Sequence, residues 1–544
     1  MNKTAIKKVL GELPLTAETY WLMRQAGKPV RRNISLHKLD TRLSELKTQA
    51  ESARARENSQ PSNHPRRIMV FTALRYWIEH STLLSMALAG LGHEVTLVYS
   101  PNINWRRPVN RFDLRRHDLY LHSILDKAKP LIEVISLLDI KGKQELPQSL
   151  QKEIANVSLR DTQYTLQIEE IDHLRTSQKD VSQLHQIRTN RNQEAAQKVM
   201  FWLQRLPLEK RPEVIITPNG SILEMGAIYQ TATFMKIPVV TYEFGEQRER
   251  IWFAQNNEVM QQDTSEMWEQ RQASPLNPQQ WDQIKSLYAA RQNASLWKNF
   301  ARLWQEQPSQ GGDQLRQSLQ LDQRPVILLA ANVIGDSLTL GRQIFSRNMT
   351  DWLQKTALYF SKRQDVQLII RIHPGERYTN GPSVAHIVRQ ALPEMPSHIH
   401  LIEATDPINT YDLVEIANLG LVYTTTVGME MAMSGVPVII AGRTHYRGKG
   451  FTLDPESWED YFDFLDSKLA GSKNEPISQE QVERAWQYAY YFFFEYPTSF
   501  PWHLKDSWKM LETWSMEKVL SPEGQVVFGE TFRCLAGEPR RWQS

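Results

Sequence analysis

Strand-like and helix-like stretches alternate in two separate parts of this chain, and that alternation limits the fold more than any other feature. The first series begins with "RIMVFTAL" (67–74), a helical pattern "IEHSTLLSMALAGLGH", and "EVTLVYS" (94–100). Apolar runs of strand length joined by a helix predict parallel neighbours, because parallel strands need a long crossover. "LIEVISL" (131–137), "EVIITPNG" (213–220) and "IPVVTYEFGE" (237–246) continue the series, with a polar, glutamine-rich, helical stretch over 143–208. A second series carries "PVILLAAN" (325–332), "VQLIIRI" (366–372), "HIHLIEA" (398–404), "LGLVYTT" (419–425) and "VPVIIAG" (436–442), again with helical patterns between. The expected class is α/β, with two Rossmann-like doubly wound domains facing across a cleft and added helices.

Length supports more than one domain, since 544 residues exceed what a single core ordinarily organises. The divisions expected are an N-terminal helical segment and linker (1–66), a first Rossmann-like domain with a helical insertion (67–246), and a helical bridge (247–322). A second Rossmann-like domain (323–475) and C-terminal helices crossing back (476–544) complete the chain. Within the first of these, 35–66 reads as a polar linker.

Charge excludes a polyanion partner: 64 lysines and arginines face 61 aspartates and glutamates, so no nucleic acid is expected. No apolar run approaches the roughly 20 residues of a membrane span, and no signal-peptide pattern opens the chain. Cys534 is the sole cysteine, which removes internal disulfides and thiolate zinc sites. The location expected is cytoplasmic, with "TYWLMRQAGKPVRR" near the start as a candidate for peripheral contact with the inner face of the cell membrane.

Ligands of open α/β sheets sit at the carboxyl ends of the strands, so the strand exits are where chemistry is sought. In "QLIIRIHPGE" (367–376), Arg371 and His373 flank a strand end, Pro374 fixes the turn and Glu376 follows. A cation and an imidazole on a rigid turn suit an anion such as phosphate, though an ordinary polar exit reads the same way. In "YTTTVGMEMAMSGVPVIIAG" (423–442), Thr424, Thr425 and Thr426 precede a helix start, where hydroxyls and open N–H groups receive anions or simply cap. Gly428 allows a ligand or a neighbouring element to approach. Glu430 lies in an apolar helix, where a carboxylate is costly unless partnered, and could accept two ribose hydroxyls. Asn332 and Asp336 end the first strand of this series in "NVIGDS".

Acid–base candidates come from the first series. Glu243, in "VTYEFGEQRER" (240–250), could be a general base or the partner of the arginines that follow it. Glu79 and His80 form a second catalytic candidate after the first strand. His398 and His400 share a strand face but have no third ligand nearby, so no metal is expected, and no cofactor.

"NVIGDS", "IIRIHPGE" and "YTTTVGMEMAMSGVPVIIAG" together resemble the capsule polysaccharide biosynthesis family, glycosyltransferases of the GT-B fold that include enzymes transferring 3-deoxy-manno-octulosonic acid (Kdo) from CMP-Kdo. The resemblance covers about 325–452 and extends thinly to "YEFGEQRER", which lacks the family's Arg-Pro step. It implies that His373 and Pro374 contact the nucleotide phosphate or ribose, that Thr424, Thr425 and Thr426 hold the phosphate, and that Glu430 holds the ribose. Asn332 and Asp336 would line the cleft.

The function expected is a metal-independent glycosyltransferase moving a sugar from a nucleotide-activated donor, CMP-Kdo or similar, to a cell-surface or capsular polysaccharide or its lipid anchor. The alternatives are a nucleotide-sugar 2-epimerase, a polyol-phosphate transferase, or an inactive relative that binds glycan or nucleotide.

Overall fold

A computed structural model describes residues 3–24, 34–57, 65–102, 104–171, 178–301, 303, 305–470 and 475–542. The chain divides into two compact units. Unit 1 comprises Met1–Thr162, Leu174–Met260 and Thr498–Arg541; unit 2 comprises Gln163–His173, Gln261–Pro497 and Trp542–Ser544.

Among the described residues twelve strands occur in chain order: β1 (Arg67–Thr72), β2 (Glu94–Tyr99), β3 (Glu133–Ser136), β4 (Val214–Pro218), β5 (Val239–Glu243), β6 (Arg250–Gln255), β7 (Val326–Ala330), β8 (Gln367–Arg371), β9 (Ile399–Ile402), β10 (Leu419–Val422), β11 (Val438–Ile440) and β12 (Thr498–Ser499). Unit 1 holds a seven-stranded sheet in the order β12-β6-β5-β4-β1-β2-β3. Its β1 to β5 are parallel, while β6 and β12 close one edge antiparallel. Unit 2 holds five parallel strands in the order β11-β10-β7-β8-β9. In both, the first strand lies in the middle and the chain winds outward first on one side and then on the other. That is the doubly wound arrangement, and the mixed α/β class with parallel sheets read from the sequence is the one the structure has.

Burial on both faces explains why the strands read as continuous apolar runs. Every residue of β7 ("VILLA") and of β8 ("QLIIR") is buried. Each fully buried leucine, isoleucine or valine there contributes roughly 1.5–3 kcal/mol. Packed over the unit 2 sheet is the helix Met349–Phe360, whose Trp352 is fully buried and donates its indole N–H to Tyr461 Oη at 3.1 Å.

Two stretches differ from the sequence reading. Within 35–66, read as a linker, His37–Glu57 is a helix that buries Leu39, Leu43, Leu46, Ala50 and Ala53. Those positions repeat at three and four residues, a helical stripe that the polar composition hides. Within the segment read as a helical bridge, β6 ("RIWFAQ") pairs antiparallel with β5 and alternates buried Ile251 and Phe253 with less buried neighbours. Its arginine and glutamine ends mask a strand that exists because an edge of the sheet is open to receive it. Among the described residues no helix is long and apolar enough to cross a membrane. The N-terminal stretch considered for membrane contact is a helix over Thr16–Arg24, and its residues 25–32 lie outside the described residues.

Candidate functional site

In unit 2, backbone register aligns three strand exits. Ala330 of β7 pairs with Arg371 of β8 and with Val422 of β10. Two residues beyond each of these matched positions stand Asn332, His373 and Thr424. Adjacent strands are about 4.8 Å apart, so the register brings these three side-chain positions to one edge of the sheet. It is the edge, at the reversal of strand order between β7 and β10, where ligands of doubly wound sheets bind.

Asn332 is buried, and its Oδ1 accepts the Thr424 N–H at 3.1 Å, which turns its amide NH2 away from that bond. Thr424 is also buried, yet its Oγ1 has no hydrogen-bond partner among the described residues. Leaving a buried hydroxyl unbonded costs roughly 1–3 kcal/mol, which an acceptor brought against it would recover. Exposed His373 caps its own turn, its Nδ1 accepting the Gly375 N–H at 3.0 Å. The neutral ring therefore carries its proton on Nε2. Thr425 is buried beside Thr424, Thr426 is half-buried, and the helix Val427–Met433 begins directly after them. An amide, an imidazole and a hydroxyl along one strand edge can together receive the oxygens of an anion.

Other expected residues have protein partners instead. Arg371 is buried and donates to the carbonyls of Glu403 (2.7 Å) and Ile408 (3.1 Å), tying down the loop after β9. Burial lowers its pKa to about 10. Pro374 opens a short 3₁₀ turn, and Glu376 Oε2 accepts the Val384 N–H at 3.1 Å at the start of a helix; burial raises the Glu376 pKa. Asp336 Oδ1 accepts the Ser337 N–H at 2.7 Å within its own turn. Gly428 admits a neighbouring element, since a Cβ there would lie 2.3 Å from Tyr446 Oη, and Tyr446 Oη donates to the Thr425 carbonyl at 2.5 Å.

Glu430 is placed differently from the ribose contact the resemblance implies. It is buried, ion-paired with the guanidinium of Arg291, and accepts the Tyr411 hydroxyl at 3.1 Å on Oε2. Arg291 in turn lies over the Phe493 ring, 4.6 Å from its centroid. The carboxylate that looked costly in an apolar helix is stabilised by a cation from a helix 139 residues away in sequence. No local pattern could have identified Arg291, because a long-range ion pair leaves no spacing signal.

In unit 1, β4 and β5 pair Pro218 with Tyr242, so Asn219 and Glu243 are the next residues on both strands. Asn219 Nδ2 donates to Glu243 Oε2 at 3.0 Å, and the Phe244 N–H donates to Oε1 at 3.0 Å. Burial raises the Glu243 pKa, and these two donors partly oppose the rise. Glu243 is thus a carboxyl held in one orientation with heightened basicity, suited to proton transfer. Asn219 was missed in the sequence, although "TPNG" marks a special exit: Asn219 and Gly220 both have positive φ, 59° and 77°.

The second acid–base pair is enclosed. His80 places Nε2 3.0 Å from the Trp502 carbonyl and Nδ1 3.3 Å from Tyr242 Oη. Bonding to a carbonyl requires the proton on Nε2, and burial lowers its pKa to about 3, so the ring stays neutral. Glu79 is buried, receives the Trp508 indole N–H at 3.4 Å, and has its pKa raised by that burial.

His398 and His400 serve structure: their Nε2 atoms contact the Phe360 carbonyl (2.9 Å) and Gln367 Oε1 (3.1 Å). A different group, Asp118, His122 and Asp139 in unit 1, brings its ligand atoms within 4.8 Å of one another. There the His122 Nε2 lies 3.2 Å from Asp139 Oδ2 and 3.9 Å from Asp118 Oδ2. The hydrogen bond to Asp139, then the charges of the nearby carboxylates, raise the imidazole pKa to about 9. A raised folded-state pKa stabilises fully below the unfolded value near 6.5 and loses that contribution as pH rises through about 9. Solvent screening at this half-exposed site leaves about 1–2 kcal/mol. Chemical denaturation from pH 6 to 10 is expected to show the advantage of wild type over His122→Gln shrinking by that amount across the window. A constant difference would contradict the assignment.

No family model and no curated protein matches the chain. Among solved structures, the chain is similar to KpsC, beta Kdo 2,7 transferase, of Thermosulfurimonas dismutans (13% identity, 58% of this chain and 89% of that one, TM-score 0.32). It is also similar to the same organism's KpsC, beta Kdo 2,4 transferase (13%, 50% and 79%, TM-score 0.30). A third is UDP-GlcNAc 2-epimerase from Neisseria meningitidis bound to UDP-GlcNAc (12%, 79% and 100%, TM-score 0.24).

Proposed function

We propose that the chain is a glycosyltransferase that takes a sugar from a nucleotide-activated donor, CMP-Kdo or a similar acidic sugar, to a cell-surface polysaccharide or its lipid anchor. The observation carrying this reading is the matched register of Asn332, His373 and Thr424 at the unit 2 switch point, with the buried Thr424 hydroxyl unbonded. Those groups are the nucleotide's phosphate contacts. As the sugar–phosphate bond breaks, charge gathers on the leaving phosphate, and donors already oriented stabilise it with little reorganisation. Glu243 of unit 1 removes the proton from the acceptor hydroxyl. The choice of sugar class rests on the resemblance of 325–452 to the capsule polysaccharide biosynthesis family.

The test is ligand-induced thermal stabilisation across CMP, CDP, UDP and GDP, followed by nucleotide release from a panel of activated sugars. CMP alone should stabilise, and a CMP-linked acidic sugar should release CMP. Thr424→Val keeps the side chain's shape and removes the hydroxyl; nucleotide affinity is expected to fall about tenfold while the unliganded melting temperature holds or rises. Stabilisation by no nucleotide would end the reading. Stabilisation by UDP with interconversion of the sugar, and no transfer, would replace it with an epimerase.

A further inference from the structure

We propose a second ligand site in unit 2, for a neutral mono- or disaccharide, at the end of the sheet opposite the Asn332–His373–Thr424 edge. A cavity of about 360 Å³ opens there, where the chain enters β10 through Ala417 and Asn418 and enters β11 through Gly435 to Pro437. That volume is within the range of pockets that enclose small ligands.

Its walls specify the ligand's chemistry. Tyr288 and Tyr411 form one side, packed edge to face with centroids 5.3 Å apart. Both rings are more than nine-tenths buried, so they form an apolar wall and leave recognition to the polar groups around them. The polar groups around them have unused capacity. The Gln292 side chain makes no hydrogen bond among the described residues, so its NH2 and its oxygen are both open. Asn418 uses Oδ1 to accept the Val326 N–H at 2.8 Å, which leaves its NH2. Glu415 uses Oε2 to accept the Gly312 N–H at 2.9 Å, which leaves Oε1. Ser434 Oγ donates to the Glu430 carbonyl at 3.0 Å, so the Tyr288 hydroxyl donates to Ser434 Oγ at 2.9 Å and neither proton is left for a ligand.

Donors and acceptors are therefore mixed over a short span, which suits hydroxyl groups because each can both give and receive. Among the described residues lining the cavity there is no lysine, arginine or histidine, while Glu415 contributes negative charge. A phosphate or a sugar acid would meet repulsion with nothing to offset it. The cavity is also joined to the helix after the threonines, since Tyr411 lines it and donates its hydroxyl to Glu430. The site shares no residue with the nucleotide edge and does not rest on the transferase reading.

Saturation-transfer NMR on the full chain, with galactose, glucose, mannose, N-acetylglucosamine, lactose and maltose, and galacturonate as the charged control, tests it. At least one neutral sugar should receive saturation, and galacturonate should not. Gln292→Ala should weaken that sugar about tenfold, since the amide has no protein partner whose loss would unsettle the fold. Ala417→Trp, which fills the cavity, should abolish the signal while the unliganded melting temperature stays as in wild type. No transfer to any neutral sugar, equal transfer to galacturonate, or a signal unchanged in both variants would each overturn the site. Because the readout is free of nucleotide, failure of the transferase reading leaves this result standing or falling alone.

Discussion

Arg291→Met is expected to destabilise the protein by about 3–5 kcal/mol, the cost of leaving one buried ion without its counter-charge. Arg291 and Glu430 are both almost fully buried, so solvent screens neither. With the guanidinium gone, Glu430 keeps the Tyr411 hydroxyl but must bind a proton or remain as an uncompensated anion. The double variant Arg291→Met, Glu430→Leu removes both charges and fills the space, and is expected to recover most of the loss. Chemical denaturation of the two variants and wild type checks this. If the single variant is as stable as wild type, the pair is not the support of this helix. If instead the double variant is no better than the single, the loss lies in packing against Phe493 and not in charge.

Glu243→Gln is expected to lower the transfer rate by about 10²- to 10⁴-fold, the usual worth of a positioned general base, with nucleotide affinity unchanged. The variant keeps the size and, through its amide oxygen, the bond to Asn219 Nδ2, but gives up the one from the Phe244 N–H; a rate loss with an unchanged melting temperature isolates the proton transfer. The sign of the pH dependence follows from burial, which raises the Glu243 pKa above the ordinary 4.5. A base works only when ionised, so the rate should climb with pH through that raised value and level off above it. Glu243→Gln should abolish the climb. Survival of the full rate and its acid limb in the variant would move the base elsewhere.

The two series of strands were legible because burial on both faces writes each strand as an unbroken apolar run. "VILLA" and "QLIIR" are central strands of a parallel sheet and nothing else fits them. The strand exits were legible for the same reason, and Asn332, His373 and the threonines could be named before any geometry was known. What stayed hidden was partner choice. Arg371 and His373 look alike as a phosphate pair, yet the first holds the loop carbonyls of Glu403 and Ile408 and the second, though exposed, caps its own turn at the Gly375 N–H. Glu79 and His80 read as an acid–base pair, but burial and contacts from Trp502 and Trp508, over 400 residues away, keep the imidazole neutral and the carboxyl covered.

By itself, then, the sequence determined the α/β class, the two doubly wound sheets and the strand ends at which polar residues collect, because these depend on local periodicity and on the apolar runs of buried strands. Only the tertiary structure decided which of those residues are spent on the fold and which remain available. Glu430 belongs to Arg291, Glu376 to a helix start, and Asn219 to Glu243, whereas the Thr424 hydroxyl has no partner among the described residues. A hydrogen bond or an ion pair between distant segments has no period in the chain, so its two halves become a pair only when the fold brings them within reach.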